Sequence, residues 1–331
     1  MKPEWRRPGR YVNTERRGDP AMISYAILFP GQGSQKVGMG ADLFDVHPDL
    51  LREAAKDVLD WSLEAVVAEG PQDELTRTEH AQPALYAVSF ALWRSLQEAL
   101  PVAPAAAAGH SLGEYTALAA AGAISYNEGL GLVAERGRAM AAAAADGEPS
   151  SMAALIGADL EQAEQLTARR REEGGHLWVA NINTPSQIVV AGSVTDIDWL
   201  AENARSLGIR RAVPLDVAGA FHSPYMASAA SRLRRALADA PFEPPRFPVY
   251  ANATALPIDD PARRLDDQLT SPVRFAEMLQ HMADDGVTTF VHVGPGDVTA
   301  GLVRRTLRDA TVHVVSGLND VAAVANELSI Q

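Results

Sequence analysis

Cysteine is absent from this chain of 331 residues. The absence excludes disulfide bonds, thiolate metal sites and a cysteine nucleophile, so covalent catalysis would have to use another side chain. No apolar run approaches the roughly 20 residues of a membrane-spanning helix, and no secretory signal pattern is present. We therefore expect a cytoplasmic protein with no membrane partner, and the sequence indicates no metal site.

Lysine is scarce as well, since the chain contains only Lys2, Lys36 and Lys56, and the formal net charge is −13. Proteins that bind nucleic acid through a whole domain usually have a surplus of basic residues. We therefore expect no nucleic-acid partner.

The first 22 residues differ from the rest in charge and in pattern. Residues 1–20 hold six basic and three acidic side chains and show almost no apolar periodicity. A segment that cannot bury apolar surface does not fold on its own. We predict that residues 1–22 are a disordered extension.

Short apolar runs that end in glycine-containing loops predict two buried strands. One run covers residues 23–29 and is followed by Pro30 and Gly31, and the other covers residues 102–108 and leads into Gly109. Helical spacing is found over residues 50–68, 83–100, 114–121 and 128–145.

The pattern changes after residue 147. Residues 152–215 follow the order strand, helix, strand, strand, helix, strand, which is typical of a ferredoxin-like unit. Alternating helices and strands then resume. We predict an α/β protein in which residues 23–147 and 217–331 form a large domain and residues 148–216 form an inserted ferredoxin-like domain.

The segment Gly109-His110-Ser111-Leu112-Gly113 matches the nucleophile-elbow pattern. In that pattern a sharp turn between a strand and a helix exposes a serine, and small neighbours avoid steric clashes. An apolar run precedes the segment and a helical stretch follows it, as the pattern requires. The alternative is a glycine-rich turn whose serine caps the helix.

A serine nucleophile needs a general base, and His222 is the best candidate among eight histidines. It lies in the loop Gly219-Ala-Phe-His-Ser-Pro224, whose small residues can hold a side chain over a cleft. His110 adjoins Ser111 but should point away from it, so we expect it to have a local structural role.

The loop Pro30-Gly-Gln-Gly-Ser-Gln35 follows the first predicted strand. Its two glycines allow backbone N–H groups, including that of Gln32, to approach a ligand. A phosphate-binding loop is the competing interpretation, but the lysine of the GxxxxGK[ST] pattern is missing.

Taken together, these segments resemble the malonyl-CoA:acyl carrier protein transacylase family. The similarity extends from about residue 24 to residue 318 in the family's order. It includes the motifs FPGQGSQ (29–35), GHSLGEY (109–115), ERGRAM (135–140), NINTPSQIVVAG (181–192), AFHS (220–223), QLTSPV (268–273) and VGPG (293–296). The resemblance implies an α/β-hydrolase-like large domain, a ferredoxin-like small domain and an active site in the cleft between them.

The resemblance also implies a Ser–His mechanism with an acyl-enzyme intermediate. Ser111 would carry the acyl group and His222 would be the general base, oriented by the backbone carbonyl of Gln268. The backbone N–H groups of Gln32 and Leu112 would form the oxyanion hole. Each such donor stabilises the transition state by roughly 3–4 kcal/mol.

Four positions are implied to bind substrate: Arg136, Met140, Phe221 and Asn181. A guanidinium at position 136 can bind the free carboxylate of a malonyl group through two hydrogen bonds, whereas most helical arginines are solvated charges. Phe221 corresponds to a position where methylmalonyl-selective members tend to have serine, so its ring would crowd an α-methyl branch. Malonyl-selective members usually have histidine where this chain has Gly219, and free-standing acyltransferases of polyketide synthases have a loop similar to this one.

The implied reaction moves a malonyl-type group from coenzyme A to the phosphopantetheine thiol of an acyl carrier protein, with a polyketide pathway favoured over fatty-acid synthesis. It uses the coenzyme A thioester as substrate and needs no cofactor. Arg210 and Arg211 lie where family members place basic residues for the acidic carrier protein; the alternative is two solvated charges at a strand edge. Other functions left open are a hydrolase that clears stalled acyl groups, transfer of another acyl unit between carrier proteins, and a non-catalytic scaffold.

Overall fold

The computed structural model describes residues 24–330, so the disordered extension predicted for residues 1–22 lies outside the described residues. The strands are β1 (Tyr25–Phe29), β2 (Ala106–Gly109), β3 (Ser150–Ile156), β4 (Leu177–Thr184), β5 (Gln187–Ser193), β6 (Arg211–Pro214), β7 (Val249–Tyr250), β8 (Thr289–Val293) and β9 (Thr311–Val315). The α-helices are α1 (Leu43–Val46), α2 (Ala55–Val58), α3 (Gln72–Thr76), α4 (Thr78–Ala99), α5 (Gly113–Ala120), α6 (Tyr126–Asp146), α7 (Leu160–Glu172), α8 (Val194–Asn203), α9 (Ala227–Asp239), α10 (Pro261–Thr270), α11 (Phe275–Asp284), α12 (Val298–Thr306) and α13 (Leu318–Ile330).

The larger sheet has five strands in the order β7-β2-β1-β8-β9, and every neighbouring pair is parallel. Side chains alternate along the central strand β1. Tyr25, Ile27 and Phe29 pack into one hydrophobic cluster, whereas Ala26 and Leu28 pack into another. Because both faces are buried, the strand is a continuous apolar run rather than an alternating one.

The smaller sheet is antiparallel, with the order β4-β5-β3-β6. Its elements follow the chain order β3-α7-β4-β5-α8-β6, which confirms the predicted ferredoxin-like unit. Leu155 and Ile188 pack with the two helices, while Met152 and Val189, on the opposite face, belong to the main hydrophobic cluster of the protein. The domain bounds at residues 148 and 216 remain a prediction.

The predicted continuous helix over residues 50–68 is wrong. The chain forms a π-helical turn at Asp49–Ala54, the short α2, extended backbone at Leu59 and a second π-helical turn at Ala65–Glu69. The Ser62 hydroxyl accepts a hydrogen bond from the N–H of Ala65 across 3.2 Å, which starts a new turn. The apolar residues of this segment are buried as their spacing predicts, but they lie on several short helical turns rather than on one helix.

Other bounds differ from the sequence prediction. The helix expected to begin at Pro83 begins at Thr78, so the proline lies inside α4. Sequence analysis missed α1, α3, α10, α13 and β9. Among residues 24–330, no helix is long and apolar enough to cross a membrane.

Candidate active site

Ser111 lies on the sharp turn between β2 and α5, with a left-handed φ of 51°. A Cβ atom at Gly109 would overlap the backbone of Gly113, and a Cβ atom at Gly113 would overlap the carbonyl oxygen of Phe29. Both positions therefore require glycine, as a nucleophile elbow does. The residue that precedes α5 is Leu112, and no side chain caps that helix, so the helix-capping alternative for Ser111 is wrong.

His222 contacts the serine directly. Its Nε2 atom lies 2.7 Å from Oγ of Ser111, and its Nδ1 atom lies 3.0 Å from the carbonyl oxygen of Gln268. The Nδ1–H group can therefore donate to the carbonyl while Nε2 accepts the serine proton. Burial, and then the nearby charge of Arg136, lower the pKa of His222 to about 3, so the imidazole is neutral and able to act as a base.

Arg136 reaches the same serine from α6. Its Nη2 atom donates to Oγ of Ser111 and to Oε1 of Gln268, each across 3.0 Å, and its Nη1 atom donates to Oε1 of Gln82 across 2.7 Å. The side chain is 1% exposed and lies over the Tyr115 ring. No carboxylate oxygen in residues 24–330 lies within 4.0 Å of it. A buried guanidinium without an ion partner is costly, which favours a ligand that brings its own carboxylate.

A network that sequence analysis did not find holds the elbow. The Gln268 side-chain nitrogen donates to the carbonyl oxygen of Ser111 across 3.0 Å and to Oε2 of Glu114 across 2.7 Å. The Asn252 side chain accepts from the N–H of Ser111 and donates to the carbonyl oxygen of Gly109. Both side chains therefore fix the backbone on either side of the hydroxyl.

The loop that contains Gln32 packs against the elbow. A Cβ atom at Gly31 would overlap the carbonyl oxygen of His110, so the two backbones are in close contact. Within the described part of the chain, the backbone N–H groups of Gln32 and Leu112 have no hydrogen-bond acceptor, so both remain available to a ligand. Their role as an oxyanion hole stays a prediction.

Two of the other predicted substrate-binding residues adjoin this centre. The Met140 sulfur lies one helical turn beyond Arg136 and accepts from the Gln82 side chain across 3.3 Å. Phe221 directly precedes His222 and is 6% exposed.

Asn181 has no such contact. It forms a backbone bridge to Val273, and its side chain makes no hydrogen bond within residues 24–330. Asn183 makes the polar contact instead, since its Oδ1 lies 2.8 Å from Nε2 of His110. This contact is consistent with the structural role expected for His110.

A cleft with a volume of about 410 Å³ lies beside His222. Its walls come from the small sheet region, through Arg171 of α7 and Trp178 of β4, and from the large sheet region, through Thr270. The structure therefore brings Ser111, His222 and Arg136 together, and His222 lines a crevice between the two parts of the protein.

Arg210 and Arg211 lie at a different place, on the edge of the small sheet. Together with Arg205 they surround a groove of about 530 Å³ that includes Ile156 and Val213. Within the chain segment that the structure describes, none of the three arginines has an acidic partner within 4.0 Å.

Comparison with known proteins gives consistent matches over nearly the whole chain. A family model for the acyl transferase domain matches residues 26–326. The malonyl CoA-acyl carrier protein transacylase of Bacillus subtilis is 40% identical over 315 residues, which are 94% of this chain and 97% of that protein. The polyketide biosynthesis protein ThaF of Burkholderia thailandensis is 40% identical over 285 residues, which are 86% of this chain and 24% of that protein. A malonyl-transacylase solved in complex with its type II PKS acyl-carrier protein is 34% identical, with a TM-score of 0.86, and the match covers 92% of this chain and 99% of that one.

Proposed function

Because this chain belongs to the malonyl-CoA:acyl carrier protein transacylase family of acyl transferases, we propose that it moves a malonyl group from coenzyme A to the phosphopantetheine thiol of an acyl carrier protein. The observation that carries the proposal is the contact between Arg136 and Ser111. A buried guanidinium without a carboxylate partner lies one hydrogen bond from the hydroxyl that the elbow exposes. This arrangement suits an acyl group that ends in a carboxylate.

In the first half-reaction, His222 Nε2 takes the proton from Ser111 Oγ as the oxygen attacks the thioester carbonyl. The Gln268 carbonyl accepts a hydrogen bond from Nδ1 and stabilises the imidazolium that forms. The N–H groups of Gln32 and Leu112 donate to the developing oxyanion. The carbon–sulfur bond then breaks, His222 returns the proton to the leaving thiolate, and a seryl ester remains.

In the second half-reaction, the carrier's thiol gives its proton to His222 and attacks the seryl ester. The serine leaves with that proton, and the acyl group is now a thioester of the carrier protein. Water is the competing nucleophile. Two hydrogen bonds from Arg136 to the acyl carboxylate would hold the ester in one orientation, while Phe221 and Met140 limit the space beside it.

The acceptor is proposed to be an acidic carrier protein that meets the basic groove around Arg205, Arg210 and Arg211. Arg211 pairs with Ile156 across the two strands β6 and β3. Because Arg211 and Val213 alternate with the inward-facing Ala212, they lie on the sheet face turned towards the main hydrophobic cluster. Positive charge there would steer the carrier protein towards the crevice.

Two further parts of the proposal concern setting. We place the enzyme in the cytoplasm, because a charged coenzyme A thioester does not cross a membrane unaided and is used where it is made. A polyketide pathway is supported by the similarity to ThaF and by the Gly219-Ala-Phe-His222 loop. A Cβ atom at Gly219 would lie 2.8 Å from Cβ of Ala144, so the histidine that is usual in malonyl-selective members would require the loop or α6 to shift.

The direct test is mass spectrometry of the purified protein after incubation with an equimolar mixture of malonyl-, methylmalonyl- and acetyl-CoA. The proposal expects the mass of a malonyl group on Ser111 and its loss when a phosphopantetheinylated carrier protein is added. Loss of the label to water alone, at the same rate with and without carrier protein, would identify a hydrolase. No label on Ser111 would refute acyl transfer.

A further inference from the structure

Glu114 is a buried carboxyl group for which the reaction above has no use. It lies in the first turn of α5, three residues after Ser111, and is 0% exposed. Its Oε2 atom accepts from the Gln268 side chain across 2.7 Å and from the backbone N–H of Asn252 across 3.0 Å. Within residues 24–330 its Oε1 atom has no hydrogen-bond partner.

One amide group separates this carboxyl group from the guanidinium of Arg136. The Gln268 side chain donates from its nitrogen to Glu114 and accepts at its oxygen from Arg136. Glu114 therefore fixes which way the amide faces, because a carboxylate can accept but cannot donate. The amide oxygen is consequently held towards Arg136.

The charged and titratable groups around Glu114 are few. Arg136 faces it from α6, and the Tyr115 hydroxyl lies beside it on its own helix. His222, from the loop before α9, contacts the backbone carbonyl oxygen of Gln268 and is neutral. Burial raises the pKa of Glu114 to about 7, against the hydrogen bonds from Gln268 and Asn252 and the charge of Arg136. Near neutral pH the group can therefore hold either charge state.

We propose that Glu114, one amide group away, balances the charge of Arg136 in the free enzyme without contacting it, and that it takes a proton from solvent when the carboxylate of the acyl group binds Arg136. Two carboxylates beside one guanidinium would leave a net negative charge in a buried site, which burial penalises. A proton on the unpartnered Oε1 atom removes that charge and breaks no hydrogen bond, since Oε2 keeps both of its donors. The inference rests on the proposed function.

This role makes Glu114 a positioning residue that acts through Gln268 and Arg136. Its ionised form weakens binding only of acyl groups that have a free carboxylate. Malonyl and acetyl groups should therefore respond differently to its charge. A residue that only supported the fold would affect both groups alike.

The first test compares the wild type with Glu114→Gln, which keeps the shape and both accepted hydrogen bonds but cannot ionise. For the wild type, KM for malonyl-CoA should rise roughly tenfold as pH increases through about 7. A tenfold rise is the effect expected when binding raises the pKa of Glu114 by about one unit. The variant should show a low KM for malonyl-CoA without this rise. Neither protein should show it with acetyl-CoA.

Glu135→Gln is the matched control. This change removes a carboxylate adjacent to Arg136 in the chain, but Glu135 pairs with Arg232 at the surface. The control should keep the wild-type rise in KM. The same rise in Glu114→Gln, or a rise with acetyl-CoA as well, would overturn the inference.

A second test leaves Glu114 in place, in case its substitution prevents folding. Ser111→Ala binds acyl-CoA without reacting, and calorimetry in two buffers with different ionisation enthalpies measures proton uptake. Near neutral pH, malonyl-CoA should bind with uptake of a fraction of a proton, and acetyl-CoA should not. Malonyl transfer by the wild type without proton uptake in the variant would refute this inference alone, whereas absence of malonyl transfer would refute the proposed function.

Discussion

Arg136 donates a hydrogen bond from Nη2 to Oγ of Ser111 across 3.0 Å, so the residue proposed to bind the carboxylate and the proposed nucleophile touch in the free protein. His222 binds the same oxygen across 2.7 Å. When an acyl carboxylate binds the guanidinium, the hydrogen bond from Arg136 to Ser111 must break. The arrangement therefore couples carboxylate binding to release of the serine for attack.

The first prediction concerns Arg136→Ala. Loss of two charge-assisted hydrogen bonds to the acyl carboxylate should cost about 3 kcal/mol, which lowers kcat/KM for malonyl-CoA roughly a hundredfold. Acetyl transfer or hydrolysis should rise, because the pocket becomes larger and less polar. Release of free coenzyme A from malonyl-CoA and acetyl-CoA, with and without carrier protein, measures malonyl transfer, acetyl transfer and hydrolysis.

Arg136→Lys is the informative companion variant. It keeps the charge but lacks the planar fork that donates to Gln82, Gln268 and the serine at once. It should recover only part of the malonyl activity. Unchanged selectivity between malonyl and acetyl groups in both variants would contradict the role of Arg136.

The second prediction concerns the glycines of the elbow. Gly113→Ala should prevent folding or destroy activity, because its Cβ atom would overlap the carbonyl oxygen of Phe29. Gly131→Ala is the control on α6, where the nearest atom to the new Cβ is 4.0 Å away. That change should raise the free energy of unfolding by roughly 0.5–1 kcal/mol, the helix preference for alanine over glycine. Thermal unfolding followed by circular dichroism compares the two, and a stable, active Gly113→Ala would contradict the elbow geometry.

The elbow and the ferredoxin-like unit could be predicted from the sequence because their causes are local. Gly109 and Gly113 are needed where two backbones meet, and the apolar alternation of residues 152–215 fixes strands and helices within about 60 residues. The loop of small residues around His222 also marked it as the candidate base for Ser111, and the resemblance to a known family added the roles of Gln268 and Arg136.

The polar network around the serine could not be predicted in this way. Asn252 binds the N–H of Ser111 from 141 positions away, and Gln268 binds Glu114 from 154 positions away. No local periodicity marks either residue, since their roles depend on how distant loops meet. Glu114 offered the one usable signal, because a charged residue in an otherwise apolar helix calls for a buried partner.

The third prediction concerns the dependence of stability on pH. His222 has a folded-state pKa of about 3 against an ordinary 6.5, so between these values the unfolded chain binds more protons than the folded one. This group therefore stabilises the fold above pH 6.5, and the contribution is lost as pH falls towards 3, on the order of 5 kcal/mol in total. Glu114 acts in the opposite sense, since its raised pKa makes the fold less stable as pH rises from 4.5 to about 7.

Urea unfolding of the wild type and of His222→Gln over this pH range tests the prediction. As pH falls, the free energy of unfolding should decrease less in the variant than in the wild type. A constant difference would show that His222 is not held neutral by its surroundings. For Glu114→Gln the direction is reversed: its free energy of unfolding should decrease less than that of the wild type as pH rises from 4.5 to about 7.

The fourth prediction separates the two half-reactions. Arg211→Glu should lower kcat/KM for the carrier protein roughly tenfold, because a rim charge that attracts an acidic partner becomes one that repels it. Acylation of Ser111 by malonyl-CoA should be nearly unchanged if the groove contacts only the protein acceptor. Arg235→Glu is the control, since this exposed arginine lies on α9, which packs against α6 and α10.

The dependence on salt distinguishes steering from a local structural effect. Interactions between exposed charges are screened over a Debye length of about 8 Å at physiological ionic strength, so added salt should slow the wild type with the carrier protein and bring it closer to Arg211→Glu. The Arg235→Glu control should behave like the wild type at every salt concentration. If Arg211→Glu slowed acylation by malonyl-CoA as much as transfer to the carrier, the groove would be acting on the coenzyme A donor, and the carrier-protein assignment of Arg210 and Arg211 would be wrong.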